Sequence, residues 1–477
     1  MNTLTSETEQ LRDDIDAIFA AQRSHAPAMA LTTARERIER IRRIQSWILT
    51  HEDHIAKAMY DDFKKPAPEV LLGDLGAVHY EIKYVIKHLK SWLKPQPVPT
   101  PLSLIGTRSY VRHEPKGNML IIAPWNYPFG LVIKPLVTAI AAGNVCMLKP
   151  SEMTPHTAAL LQTMITELFP PEEVAVCEGD ADVATALLAL PFNHIFFTGS
   201  PAVGKIVMAA AAKHLTSVSL ELGGKSPCIV DESADIEAVA GRVAWAKFFN
   251  NGQTCIAPDY VLVHKSVHGP FMEAFRKAVR TMYSPDNKPV EDSDSYCRLV
   301  NNRHFRRVQR LVDDAVEQGA TVTMGGRMNE ADNFIEPTVL ENVTNSMAVM
   351  DEEIFGPVLP VLTYSSNDEV LKTINSREKP LALYIMSRNR QNIEYLMART
   401  SAGDSVINDL LFQFSHIELP FGGVNNSGIG KTNGYYGFQE FTNARGVIQR
   451  DFGTSKFVYP PYTDLVKKIV GLVVRKL

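Results

Sequence analysis

From Arg112 onward the chain alternates short apolar runs with longer amphipathic stretches, and this texture restricts the folds open to it more than any other feature. NMLIIAP, NVCMLKP, HIFFTGS and PCIV have strand length, and between them stand HTAALLQTMITELF and VGKIVMAAAAKHL, whose apolar positions recur at helical intervals. Short runs apolar on both faces, separated by helices, predict βαβ units and a parallel sheet covered on both sides. The alternation resumes after Ala257 with YVLVH, the helical HGPFMEAFRKAVRTMY, TVTMGG, a proline-rich passage and VLPVLTY. Two successive α/β regions are expected, with no internal repeat, low-complexity tract or long linker between them.

The segment before Arg112 reads differently. Ile15, Ile18 and Phe19, then Ile38, Ile41, Ile44, Trp47 and Ile48, recur every three or four residues. A second helical run follows Pro68, carries Leu71, Leu75, Ile82, Val85, Ile86, Leu89 and Trp92, and stops at the proline-rich KPQPVPTP. With 477 residues, 45% hydrophobic and 21% charged, the chain can bury more than one core. A net charge of -4 gives no basic surface for nucleic acid. The five cysteines, Cys146, Cys177, Cys228, Cys255 and Cys297, are too scattered for a disulfide framework or a CxxC metal site. No signal segment or membrane-spanning run is visible, so a soluble, cytoplasmic protein with free thiols and no metal is expected.

Four segments combine polar chemistry with turn-forming residues. In FFNNGQTCIAPDY, Cys255 follows two asparagines, a glycine and a glutamine; a buried structural cysteine and a thiol presented to a site both fit. FTGSPAVGK joins a strand to a helix N-terminus, where free N–H groups favour phosphate. Its glycines, Gly199 and Gly204, match neither GxGxxG nor a P-loop, and a plain turn is the alternative. Glu221 in ELGGKSP is a general base or a solvated loop carboxylate. Asn126 in APWNYP is an oxyanion donor or an Asx turn capping the next helix.

APWN, LKPSE, FTGS, ELGGKSP, NNGQTC, EEIFGPV and PFGGVNNSGIG occur in the order found in the NAD(P)-dependent aldehyde dehydrogenases, and the chain resembles that family from about Glu81 to Arg450. TCIAPDYVL and LPFGGVNNSGIG look most like the class 3 and coniferyl-aldehyde-dehydrogenase-like branch. The resemblance implies an α/β fold: a Rossmann-like cofactor domain (1–96 and 116–222), an α/β catalytic domain (223–426), a small β oligomerisation arm (97–115 and 440–452) and a tail (453–477). It implies oxidation of an aldehyde to the acid, with Cys255 as nucleophile, Asn126 as oxyanion donor and Glu221 as the base that activates water.

For the cofactor the resemblance points to Trp125, Lys149, Glu152, Gly199, Ser200, Gly204, Leu222, Glu353 and Phe355. Glu152 beside a ribose 2′-OH would repel a 2′-phosphate, so NAD is expected over NADP, with NADP as the alternative. Tyr127, Phe248, Phe412, Phe414 and Phe421 are candidates for an apolar substrate pocket suited to aromatic or medium- to long-chain aldehydes. His416 reads as a packing or capping residue.

The tail TDLVKKIVGLVVRKL sets Leu465, Val466, Ile469, Val470, Val473 and Val474 on one face, near Lys467, Lys468, Arg475 and Lys476. It is too short to span a bilayer; packing on the partner of a homodimer is favoured over peripheral membrane contact. Two rivals stand beside the main reading, a CoA-acylating relative and a non-catalytic protein on the same fold. Glu221 opposes the first, and Cys255, Asn126 and Glu221 together oppose the second.

Overall fold

The computed structural model describes residues 2–101, 104–453, 455–456 and 459–476. Its first sheet has six strands in the order Gly428–Ile429, Ser217–Glu221, His194–Thr198, Asn118–Ile122, Val145–Lys149 and Val174–Val176. All neighbours run parallel except Gly428–Ile429, which pairs antiparallel with Ser217–Glu221. The strand Asn118–Ile122 is buried at every position, which is why its sequence is a continuous apolar run instead of an alternation.

One face of this sheet packs on the N-terminal helices. Ala34–Thr50 starts with a capping box between Thr33 and Glu36 and buries Ile41, Ile44, Trp47 and Ile48, the periodic residues of the sequence. From the same helix Arg37 donates to the carbonyls of Ala141 and Ala142 at 3.0 and 2.7 Å, satisfying the end of the helix Gly130–Ala142. Gly143 follows with φ +94°, and a Cβ there would stand 2.4 Å from that guanidinium, so glycine is required twice over. The other face carries Ile15 and Phe19 together with Val207 and Ala211 of the helix Pro201–Ala212.

The helical run expected after Pro68 is not continuous. Val70–Leu75 forms a π-helical turn before the α-helix Gly76–Trp92 begins. Gly73 lies in that wide turn against Tyr127 and Phe249; a Cβ would approach their rings to 2.9 and 3.2 Å.

The second sheet has seven strands: Thr321–Met324, Thr338–Glu341, Val358–Tyr364, Tyr260–His264, Pro227–Val230, Ala382–Met386 and Asp404–Ile407. Only Thr321–Met324 at one edge is antiparallel. A third, antiparallel sheet joins Gln96–Val98, Thr107–Pro115 and Thr442–Arg450, the last two in unbroken register from Thr107↔Arg450 to Pro115↔Thr442. The tail forms a helix, Asp464–Lys476, with Leu465, Leu472 and Val474 well exposed and Val466 and Ile469 half-buried. The side chains of Val473 and Lys476 lie outside the described residues. Among the described residues no helix is long and apolar enough to cross a membrane.

Candidate active site

The first sheet creates a crevice by its connectivity. From Asn118–Ile122 the chain passes to one side, through Val145–Lys149 and Val174–Val176, then returns to the other side at His194–Thr198. Loops leaving the carboxyl ends of two strands that diverge in this way leave room for a ligand between them. Pro124, Trp125 and Asn126 follow one of these strands and Gly199 and Ser200 the other, and all five line one cleft of ≈ 460 Å³. Leu222 and Gly223, which follow Ser217–Glu221 of the first sheet, and Glu353 and Phe355, which precede Val358–Tyr364 of the second, complete the lining.

Cys255 lies at the inner end of that cleft, on a loop held by side-chain amides. Asn250, Asn251 and Gly252 take three successive left-handed conformations, with φ of 52°, 57° and 71°. Asparagine tolerates this backbone region better than other non-glycine residues, while a Cβ on Gly252 would meet the Gly356 carbonyl oxygen at 2.4 Å. The amides then brace the turn. Asn250 donates to the carbonyls of Asn126 and Gln253 at 2.9 and 3.0 Å, and Asn251 to that of Cys297 at 2.8 Å. Gln253 donates to the Arg298 carbonyl at 3.0 Å and accepts from the Val300 N–H at 3.0 Å. The polar approach to the cysteine is thus a buried scaffold.

Three cavities meet at Cys255. The cofactor-sized cleft is one. A second chamber of ≈ 80 Å³ is walled by Tyr127, Leu131, Trp245, Phe249, Leu411, Phe412 and Phe414, with Leu72 and Gly73 of the π-helical turn. A third, inner cavity of ≈ 50 Å³ is lined by Glu221, Lys134, Glu81 and Phe421. The surface of Cys255 therefore faces enclosed space, and burial raises its thiol far above the ordinary range, helped by the carboxylates of Glu353 and Glu221. The N–H groups of Cys255 and Ile256 act in the opposite direction, favouring negative charge beside the sulfur.

Asn126 is not turned back as an Asx cap; its Nδ2 donates to the Gln253 carbonyl at 3.0 Å, beside the cysteine loop. One of its two amide hydrogens is thereby oriented and the other is available to a second acceptor. Glu221 ends the strand Ser217–Glu221 and is buried, and among the described residues neither carboxylate oxygen has a hydrogen-bond partner. Burial pushes its pKa well above the carboxylate range; Lys431 opposes this, while Asp404 adds to it.

Glu353 is pushed up to about 8, chiefly by burial and then by Asp259. Its carboxylate rests on Gly223, where a Cβ would lie 2.0 Å from Oε2, so the missing side chain makes the space it occupies. Phe355 holds a positive φ of 47° and meets Trp125 edge-on at 5.3 Å.

Not every nominated residue reaches these cavities. Lys149, buried, and the exposed Glu152 form a 3.0 Å pair beyond the lining of the cleft, although Lys149 ends a strand on the same side of the sheet. Gly204 serves packing: a Cβ there would strike Leu222 at 2.8 Å. Phe248 is a correction. It packs in the core against Phe275 and Tyr283, and its neighbour Phe249 lines the chamber. Successive residues at a helix end point about 100° apart, so only one can face inward. Trp245 and Phe249, four apart, share the chamber face, and that spacing was a usable signal. Phe421 stacks edge-on against Phe414 at 5.1 Å but lines the inner cavity instead. Leu72 and Gly73 arrive from the distant N-terminal region. His304, its ring tilted against Trp125 at 4.8 Å, joins the cleft from a helix without any motif.

A cysteine, an adjacent side-chain amide, a buried carboxylate and a deep cleft at the switch point of the first sheet stand together in one place. The family model "Aldehyde dehydrogenase family" matches residues 2–447, and the chain belongs to that family. It is 42% identical over 434 residues to the 4,4'-diaponeurosporen-aldehyde dehydrogenase of Staphylococcus aureus, covering 91% of this chain and 93% of the relative. It is also 42% identical over 428 residues to the dimeric NADP-preferring aldehyde dehydrogenase of Mus musculus, covering 89% and 93%. The solved substrate-bound state of Staphylococcus aureus AldH superposes with a TM-score of 0.92 at 40% identity, covering 96% of this chain and 99% of that one. The protein is an aldehyde dehydrogenase and uses NAD(P).

Proposed function

We propose that the protein oxidises apolar, medium- to long-chain or aromatic aldehydes to carboxylic acids through a thioester on Cys255. The observation that carries this reading is the position of Cys255 where the cofactor cleft, the apolar chamber and the Glu221 cavity meet. Once the Cys255 S–H proton has passed to water, the thiolate adds to the carbonyl of an aldehyde in the chamber, the C–S bond forming as the C=O π bond opens onto oxygen. The oxyanion is received by Asn126 Nδ2 and the Cys255 N–H, donors already oriented before reaction. When bound, the nicotinamide dinucleotide accepts the hydride that converts the thiohemiacetal to a thioester. Glu221 then takes a proton from water as its oxygen bonds to the thioester carbon, the C–S bond breaks, and the acid leaves with the thiolate restored.

The chamber supplies the substrate class: its walls are aromatic and aliphatic, and Leu72 and Phe412 open half-exposed at its rim. Steady-state rates across an aldehyde series from acetaldehyde to dodecanal and benzaldehyde, with NAD and NADP in parallel, test the reading. Catalytic efficiency is expected to rise with chain length; a preference for acetaldehyde or for charged aldehydes overturns it. The same series tests the cofactor preference. The Lys149–Glu152 pair favours NAD, and the exposure of Glu152 lets the carboxylate swing aside to admit NADP.

Trp125, Gly199, Ser200, Leu222, Glu353 and Phe355 would hold the dinucleotide, Glu353 through the ribose of the nicotinamide half. Gly223→Ala is expected to displace the Glu353 carboxylate and raise the KM for the cofactor by about tenfold, the worth of one charge-assisted hydrogen bond. An unchanged cofactor KM would remove Glu353 from that role.

A cytoplasmic homodimer fits the five free cysteines and the three-stranded arm, whose long strand Thr442–Arg450 pairs along one edge only. The exposed apolar residues of the tail helix suit a partner subunit better than solvent. Deleting residues 463–477 is expected to weaken the dimer in sedimentation and leave binding to anionic liposomes unchanged; lost liposome binding with an intact dimer reverses the assignment.

A further inference from the structure

Behind Glu221 the inner cavity holds two charged side chains that the chemistry above leaves unused. Lys134, from the helix Gly130–Ala142, is buried. Its ammonium donates to Asn433 Oδ1 and sits 3.9 Å from the centroid of Phe414. Glu81, from the helix Gly76–Trp92, is fully buried as well. Its Oε1 accepts the Gly434 N–H at 3.0 Å, and among the described residues its Oε2 has no partner. Both residues line the cavity that Glu221 and Cys255 share. Among the described residues Lys134 closes a direct ion pair with neither carboxylate, yet its charge acts on both.

The charges around Glu221 explain why a second cation is needed. Asp404 and Glu440 disfavour its ionised form, and so does the loss of water. Lys431 opposes them, but its ammonium is committed to the carbonyls of Gly403 and Gly422. An isolated buried ammonium would itself lose its proton unless an anion balanced it. Glu81 is that anion, contributed by a different helix.

We propose that Lys134 is a positioning residue for thioester hydrolysis: its ammonium, balanced by Glu81, keeps Glu221 in the carboxylate form that can accept a proton from water. The cavity is large enough for a water molecule, and Lys134, Glu81 and Glu221 all line it. The proposal rests on the reading of Glu221 as the base.

The test separates acylation from hydrolysis. The amplitude of the first-turnover NADH burst is measured alongside the pH dependence of steady turnover in Lys134→Met, Lys134→Arg and Glu81→Gln. Removing the cation raises the pKa of Glu221, so its base form is lost at a higher pH. Lys134→Met is therefore expected to keep the burst, slow steady turnover about tenfold near neutrality and move its acid limb up by about one pH unit. Lys134→Arg retains the charge and should restore the limb. Glu81→Gln keeps an acceptor for the Gly434 N–H but removes the anion that balances Lys134, so the lysine gives up its proton and the limb moves up as in Lys134→Met; this variant also answers if Lys134→Met does not fold. An acid limb that stays put in Lys134→Met and Glu81→Gln overturns the proposal, as does an equal shift in the Met and Arg variants. Failure of the underlying reading looks different: Glu221→Gln would then turn over normally.

Discussion

Cys255→Ala is expected to abolish aldehyde-dependent NADH formation, with a loss of at least about 10⁴-fold in kcat, the scale seen when a covalent nucleophile is removed. No other thiol can substitute. Cys146, Cys177, Cys228 and Cys297 are buried, and burial holds the Cys177 thiol at about 11 and the others higher still. None of the four lines the three cavities that meet at Cys255. The variant should fold and bind NAD(P)H normally, because the loop is held by the amides of Asn250, Asn251 and Gln253 and not by the sulfur. Fluorescence titration of NADH beside an activity assay checks both parts. Turnover within about tenfold of the parent enzyme would refute covalent catalysis.

Glu221→Gln should divide the reaction into its halves. Acylation does not require a base for water, so the first turnover is expected to release one NADH per active site. Steady turnover should then fall by about 10²–10⁴-fold, the usual contribution of a general base. Burial raises the pKa of Glu221, so in the parent enzyme the acid limb of hydrolysis should lie above the ordinary carboxylate range. The sign follows from the role: a base works ionised, and a raised pKa means the ionised form is lost sooner as pH falls. Rapid-quench detection of a thioester adduct that persists in the variant is the direct check. A variant with normal steady turnover would assign the base elsewhere. The same result would also reopen transfer of the acyl group to coenzyme A, which needs no water.

Much of this site was legible along the chain because its parts are local. The strand runs NMLII, VCMLK, HIFFT and PCIV are apolar on both faces, and all became buried strands of the two main sheets. The peptide around Cys255 announced a turn through residues that accept positive φ, and it forms one. Illegible were the contributions that depend on which face of a helix turns inward. Phe248 and Phe249 are chemically identical neighbours, yet one fills the core and the other lines the apolar chamber. Leu72 and Gly73 belong to an ordinary-looking amphipathic stretch, and only the π-helical turn brings them to the chamber. Glu152, named with Lys149, lies outside the cleft lining.

Sequence alone determined the class of fold, the cysteine and the carboxylates worth examining, since backbone propensity and residue chemistry are written in consecutive positions. Tertiary structure decided what those groups experience. A carboxylate such as Glu221 has an ordinary pKa in an extended chain. Its pKa rises only when segments far apart in sequence exclude water from it and set Lys431, Asp404 and Lys134 around it. Desolvation and charge proximity depend on distances through space, and those exist only once the two sheets and the N-terminal helices have closed around Cys255.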